Sequence, residues 1–368
     1  MLNVALIGEK LAQKQKLSPQ QIHVIFLSGF FHDIGFLVDN RRIKSLDELD
    51  SFSDPHQQKS AEMLKGVKVL EDIIPVIRQH HFDEQGKGTK EQHTVYFADT
   101  LERMLFNNYQ YPPQHIIEDF RKKCLPIDEN LCEIVCELLH DPFLLSHLDC
   151  NDIQKGQRLL EIISPVHDVE LGISGLKDIC LLLAKIIDTY SGFTSAHSIM
   201  VGEIAHEIAA KMHLSEEECQ KIQIAGYLHD VGKVFIPLSI LEKQGRLSTS
   251  EMQVMKNHSY LSGEIIRDCT LLDEIMKIAC LHHERLDGSG YPFGLKGDHL
   301  GLPERIIAVA DVFTALIEER PYRPSMPYTK ALAILEESVV NGGVDKEVFD
   351  TLSLHAEYLS TLQRSRLF

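Results

Sequence analysis

Residues 226–232 read GYLHDVG, and residues 29–35 read GFFHDIG. The two stretches lie 197 positions apart, and at that offset VALIGEKLAQKQKLSPQ, from Val4, falls over VGEIAHEIAAKMHLSEE, from Val201, without a gap. With five extra residues in the second copy, His56 falls on His258 and the pair His80-His81 on His282-His283. After ten more, Ala98-Asp99 falls on Ala310-Asp311. Register kept over this length means a duplication, and so two homologous domains.

Both copies read as helix. Apolar residues in Ile199–Met212 and Glu218–Leu228 recur at three- and four-residue spacing, whereas alternating β-rich runs bounded by turn dipeptides are absent. Ser18 and Ser215 stand at helix starts, Gly35 and Gly232 sit just past the His-Asp pairs where helices stop, and Pro237 reinforces the second break. An all-α fold of two tandem helical domains is predicted. The first copy spans 1–118 and the second 179–368. Between them, 119–178 stays helical (NLCEIVCELLHDPFLLSHL from Asn130), punctuated by Pro126, Pro142 and Pro165, and reads as connecting helices packed on both domains.

A chain of 368 residues suits two domains with cores of their own, and 44% hydrophobic with 25% charged residues is a globular composition. With 37 basic against 54 acidic residues the formal charge is −17, which excludes a protein gripping long nucleic acid by phosphate neutralisation. A small anionic ligand in a locally basic pocket stays open. The eight cysteines form no CxxC and read as free thiols in a reducing compartment. MLNVALIGEKLAQKQKL lacks the pattern of a cleaved leader, and the apolar run ICLLLAKII is interrupted by Lys185, so the expectation is a cytoplasmic protein without membrane contact. Nineteen histidines and no tryptophan is the one oddity.

In the second copy the candidates are His197, His229, Asp230, His258, His282, His283 and Asp311. Neutral imidazoles and carboxylates in these numbers suit manganese, iron, nickel, cobalt or zinc, and no thiolate is near enough in sequence to indicate a structural Cys-zinc knot. Adjacent residues on a helix project about 100° apart, so His229 and Asp230 are expected to serve two metals with the carboxylate bridging. Two metals about 3.5–4 Å apart can hold a hydroxide and clamp the attacking and leaving oxygens of a phosphodiester.

Residues 190–355 resemble the HD-GYP subgroup of the HD phosphohydrolase superfamily, whose members hydrolyse cyclic dinucleotides, chiefly cyclic di-GMP. The resemblance rests on His197, LHDVGK (Leu228–Lys233), NHSYLSGEII (Asn257–Ile266), HHERLDGSGYPFGLKG (His282–Gly297), RIIAVADVFTAL (Arg305–Leu316) and RPYR (Arg320–Arg323). It implies one metal on His197, His229, Asp230 and Asp311, and another on Asp230, His258, His282 and His283. It also implies that Lys233 supplies positive charge to the scissile phosphate, that Tyr291, Arg320 and Arg323 contact the ligand, and that the Gly-rich loop rims the pocket and meets signalling partners. Tandem-domain members include forms acting on 3',3'-cyclic GMP-AMP (3',3'-cGAMP). The function expected is therefore metal-dependent linearisation of 3',3'-cGAMP, cyclic di-GMP or both. The rivals are a non-catalytic cyclic dinucleotide receptor or signalling adaptor, and a general HD nucleotidase acting on monophosphates. Retention of Lys233 and every ligand favours the enzyme, and the RPYR arginines favour the larger substrate.

Phe193 stands where some members carry a glutamate that helps hold a third metal, so two ions are expected at this site, iron or manganese ahead of nickel, cobalt or zinc. Thr314 and Gly301 also depart from the common pattern without touching the ligands. The first copy resembles only the broader HD superfamily. It keeps His32, Asp33, His56, His80, His81 and Asp99 but has Phe36 for the lysine and no GYP loop, and is expected to be a degenerate domain that regulates or dimerises, a retained metal site being the alternative. A plainer reading makes Arg320 and Arg323 surface salt-bridge partners of Glu318 and Glu319.

Overall fold

The computed structural model describes residues 1–38, 56–81, 87–107, 113–140, 172–190, 196–265, 272–319 and 325–365. Arg320, Arg323, Phe193, Cys150 and Cys269, with most of the stretch between the copies, lie outside them. Among the described residues are sixteen α-helices and no strand, only an isolated bridge between Asp287 and Lys296. None of these helices is long and apolar enough to cross a membrane. The chain forms two compact units, Met1–Leu171 and Gly172–Phe368.

In the first unit, α1 (Leu2–Lys14) and α2 (Pro19–Phe31) are followed by a 3-10 run, Ile34–Val38, then α3 (His56–Leu64), α4 (Ile74–Arg78), α5 (Lys90–Asn107), α6 (Pro113–Cys124) and α7 (Glu129–Leu138). Val4, Ile7 and Leu11, one stripe of α1, meet Phe97 and Leu101 of α5, Phe120 of α6 and Leu131 and Val135 of α7 in a closed core. The Phe97 and Phe120 rings meet edge to face with centroids 5.6 Å apart, a contact typically contributing about 0.5–1.5 kcal/mol beyond burial. The helices predicted to connect the copies thus begin, in α6 and α7, as walls of the first unit's core.

The second unit repeats the order. After α8 (Ile173–Tyr190) come α9 (His197–Lys211), α10 (Glu216–Leu228), a 3-10 run Val231–Phe235, α11 (Leu238–Leu241), α12 (Thr249–Ile265), α13 (Asp273–Cys280), α14 (Leu302–Ile317), α15 (Tyr328–Val340) and α16 (Lys346–Ser365). Its core joins Val201, Ile204 and Ile208 of α9, Ile222 and Ala225 of α10, Ile307 and Phe313 of α14, and Leu352 and Leu359 of α16. Helices α9 and α10 touch backbone to backbone: a Cβ on Gly226 would lie 2.5 Å from the Cα of Gly202, so no larger residue fits there without parting them.

The start signals hold in both units. Ser18 accepts from the Gln21 N–H and Ser215 from the Glu218 N–H, each with a reciprocal side-chain bond that completes a capping box. The stop signals are off by three residues. Helices α2 and α10 end on His32 and His229 themselves, and the chain passes through the aspartate into the 3-10 run, with Asp230 at φ −98°, ψ 4°. The premise of a helical His-Asp pair splayed by 100° therefore fails, because the helix has already ended.

Candidate metal centre

The seven candidates of the second unit come from five segments: His197 from the first residue of α9, His229 and Asp230 from the end of α10, His258 from α12, His282 and His283 from the turn after α13, and Asp311 from α14. All but His283 are buried. Their donor atoms form overlapping trios, His197-His229-Asp311, His229-Asp230-His282 and His258-His282-His283, each drawn together within 4.8 Å. Asp230 lies centrally, Oδ2 3.2 Å from His229 Nε2 and Oδ1 3.3 Å from His258 Nε2. His197 Nε2 is 3.3 Å from Asp311 Oδ1, and His283 Nδ1 is 3.7 Å from Asp311 Oδ2.

The outer ring nitrogens show what the inner ones are for. His229 Nδ1 donates to the Gly226 carbonyl at 2.7 Å, His258 Nδ1 to Met255 at 2.6 Å and His282 Nδ1 to Ala279 at 2.7 Å. A carbonyl only accepts, so the proton is on Nδ1 and Nε2 is the atom turned inward; in His258 and His282, both disfavoured as cations by burial, it offers a lone pair, while Asp230 raises His229 against its own burial. His258 Nε2 then faces His282 Nε2 at 3.4 Å, and both His229 and His258 face carboxylate oxygens. Lone pair against lone pair is repulsive, and a cation among them turns every such contact into an attraction. The donor set thus fits divalent metal, held by ligands whose far side is already anchored.

Ionisation follows the same division. Burial, reinforced by neighbouring histidines, holds His282 well below the usual imidazole range; His283, also disfavoured by burial despite Asp311, is brought down to about 4, and His258 is lowered too. Burial works against the charged forms of Asp230 and Asp311 as well. There the facing groups win: His229 and Lys233 keep Asp230, and His197 keeps Asp311, far below the carboxylate range. His197 is also disfavoured as a cation by burial, but Asp311 and Glu318 raise it to about 10.

Sequence reasoning missed three supporting carboxylates. Glu318, 4% exposed, accepts from His197 Nδ1 at 3.0 Å, a carboxylate behind a candidate histidine ligand. Asp188 of α8 accepts from the backbone N–H of Ser198 at 2.9 Å and from its hydroxyl at 2.6 Å, capping α9 where Ala196 has no side chain to do so. Glu284, 3% exposed, accepts from the N–H groups of Phe293, Gly294 and Leu295 at 2.7, 3.1 and 2.9 Å and so folds the Gly-rich loop around its own side chain. A buried acid flanked by motif residues was the one signal available, and only for Glu284.

Lys233 is buried, and its Nζ donates to Asp230 Oδ2 at 2.6 Å. Gly232, just before it, lies against α12 so closely that a Cβ would meet the His258 carbonyl oxygen at 2.0 Å. Its N–H donates to Ser262 Oγ at 2.9 Å, and that hydroxyl reaches the carbonyls of His229 at 2.9 Å and His258 at 3.0 Å. Tyr291 stacks obliquely on His283 with centroids 4.6 Å apart, and Lys256 Nζ lies 4.9 Å from the centre of the Tyr291 ring. A cavity of about 450 Å³ opens beside the cluster, lined among others by Lys256, His282, His283, Arg285, Tyr291 and Asp311. That volume suits a small molecule, and the lining brings the basic groups of Lys256 and Arg285 to the same cavity as the candidate ligands His282, His283 and Asp311.

Comparison with known proteins agrees with this architecture. HD domain models match residues 181–348 and residues 1–104. The 3'3'-cGAMP-specific phosphodiesterase 1 of Vibrio cholerae is 29% identical over 95% of this chain and 85% of its own length. Phosphodiesterase 3 of the same organism and specificity is 30% identical over 87% of this chain and 74% of its own length. The cyclic di-GMP phosphodiesterase response regulator RpfG of Xanthomonas campestris is 41% identical over 49% of this chain and 46% of its own. A crystal structure of the V. cholerae cyclic GMP-AMP-specific phosphodiesterase V-cGAP3 superposes with a TM-score of 0.57 at 24% identity, covering 97% of this chain and 92% of that one, and has the same fold. With two HD models matched in succession and a relative of this similarity aligned along most of both lengths, the chain belongs to the HD-domain family, as a tandem of two HD domains.

Proposed function

We propose that the chain is a cytoplasmic metal-dependent phosphodiesterase that opens one phosphodiester bond of a cyclic dinucleotide, 3',3'-cGAMP or cyclic di-GMP, to give the linear dinucleotide. The observation that carries this reading is the convergence of seven candidate ligands in one cluster, three of which, His282, His283 and Asp311, open onto a cavity that Lys256, Arg285 and Tyr291 also line. Its similarity over most of its length to V. cholerae phosphodiesterases specific for 3'3'-cGAMP supports the substrate class.

His197, His229, Asp230 and Asp311 would hold one ion, and Asp230, His258, His282 and His283 the other, iron or manganese before nickel, cobalt or zinc. Bound there, divalent cations would supply Lewis acidity to phosphoryl oxygens and make water acidic enough to ionise near neutral pH. The chain's own groups do the positioning. Glu318 and the three backbone carbonyls fix the imidazoles, and Asp230 carries a bridging charge balanced by Lys233, which brings positive charge beside the phosphate. Tyr291 presents a ring held by His283, while Lys256 and Arg285 offer charge to the remainder of an anionic substrate. Arg320 and Arg323 are proposed as further ligand contacts, and the Gly-rich loop as a surface for a signalling protein. The domain bounds proposed are 1–118 for the degenerate copy, 119–178 for the connection, whose first helices complete that copy's core, and 179–368 for the catalytic copy.

The test is incubation of purified protein, loaded with Mn²⁺ or anaerobically with Fe²⁺, with each cyclic dinucleotide and chromatography of the products. Linear dinucleotide is expected, and its loss in Asp230→Ala. No turnover of either dinucleotide with either metal overturns the proposal.

A further inference from the structure

The first unit gathers donors as well, but not in the same balance. His80 is fully buried, and its Nδ1 donates to the Ile77 carbonyl at 2.7 Å, so its Nε2 offers a lone pair. That nitrogen lies 3.3 Å from His56 Nε2, which is itself 3.1 Å from His81 Nε2. Asp33 Oδ1 stands 3.6 Å from His56 Nε2 and 3.8 Å from His80 Nε2. A proton shared between two of these ring nitrogens leaves the third without one, whereas a single cation satisfies all three and the carboxylate together.

The other half of the cluster differs. His32 Nε2 lies 3.2 Å from Asp33 Oδ2 and 3.5 Å from Asp99 Oδ1, but Asp99 Oδ2 also accepts from Arg103 Nη2 at 2.6 Å. Arg103 falls in register with Ala315 of the second unit, so this position brings a methyl group there instead of a guanidinium. A fixed positive charge therefore stands beside Asp99, and a divalent ion there would be repelled by it. Phe36, in register with Lys233, stacks on His56 with centroids 4.6 Å and planes 17° apart, so the position that brings an ammonium group to the second cluster brings an apolar wall to the first.

We propose that the N-terminal unit holds one divalent transition-metal ion, on His56, His80, His81 and Asp33, with Arg103 standing in for a second. Three imidazoles and one carboxylate suit a borderline first-row cation. The ion ties together the end of α2, the start of α3 and the turn after α4, segments far apart in the chain, and its role is to hold that unit's fold rather than to act on a phosphate.

The test uses the full chain loaded with Co²⁺, freed of excess ion, its metal content measured by mass spectrometry and its crystals mapped at the cobalt absorption edge. An anomalous peak is expected within bonding distance of the Nε2 atoms of His56, His80 and His81, with none beside Asp99, and His80→Ala should lose one Co²⁺ per chain. Because His80 is fully buried and its replacement endangers the unit's folding, Asp33→Asn, nearly isosteric, serves as the second variant and should release one Co²⁺ at lower chelator concentration than the unmutated chain. No peak at the three imidazoles, a pair of peaks in this unit, or unchanged Co²⁺ retention in both variants would each overturn the proposal.

Discussion

At the scale of single residues, the decisive feature is the far side of each ligand. Glu318 is 121 positions from His197, yet its carboxylate receives the Nδ1 proton and aims the opposite nitrogen at the candidate metal centre. Replacing a supporting partner of this kind typically costs about 10–100-fold in metal affinity or activity, so Glu318→Ala should lose metal and turnover to about that extent, as chelator competition and initial rates will show. The neutral imidazoles also set the acid response of the metal-stripped protein. His81 and His283 have folded-state values of about 4, against 6.5 for an ordinary histidine, burial being the main cause for each. Between those pH values the unfolded chain binds two protons on these rings that the folded chain does not, so their contribution to stability rises with pH, outweighing the opposite contribution of Asp188, whose carboxyl burial raises to about 6. Urea denaturation after chelation should accordingly show a falling midpoint as pH is lowered from about 6.5 to 4, and a flat profile there would show that these rings do not govern it.

At the scale of elements, both units use the same clasp. Gly232 and Gly35 press against the helix that carries His258 or His56, each giving its N–H to a serine on that helix, Ser262 or Ser60, at 2.9 Å. Ser262→Ala leaves the Gly232 N–H without its acceptor and removes the one hydroxyl proton that the His229 and His258 carbonyls share. Leaving a buried donor unsatisfied costs about 1–3 kcal/mol, readable as a lower urea midpoint, and Gly232→Ala should cost more because its Cβ meets backbone. The Gly-rich loop depends on Glu284 in a comparable way. Glu284→Ala should unfix residues 293–295 and raise KM for the dinucleotide while metal content is kept, which separates loop order from ligand loss. None of these contacts is visible in the hydrophobic period of the sequence, because they join segments that the period does not relate.

At the scale of the whole molecule, duplication has left two clusters with different fittings. Asp230→Ala should abolish cyclic dinucleotide hydrolysis, whereas Asp33→Ala should retain it, the first unit having Phe36 and Arg103 where the second has Lys233 and Ala315. Chelation should both stop turnover and lower the thermal midpoint. A ligand present at 100 times its Kd stabilises by about 2.7 kcal/mol, and for a domain of about 200 residues that corresponds to roughly 5–10 °C.

Helix periodicity, the two capping serines and the repeat of 197 residues were enough to give an all-α tandem, and the spaced histidines and aspartates were enough to indicate a metal site, because these signals are local or recur in register. What only the tertiary structure decided was the far side of the chemistry: that α10 stops on His229 so the pair faces one centre, that Glu318, Asp188 and Glu284 support the ligands, the helix start and the loop, and that Arg103 occupies half of the first cluster. Those roles belong to ordinary acidic and basic residues whose spacing carries no message. They acquire meaning only when packing brings them out of water and sets each against the group it holds.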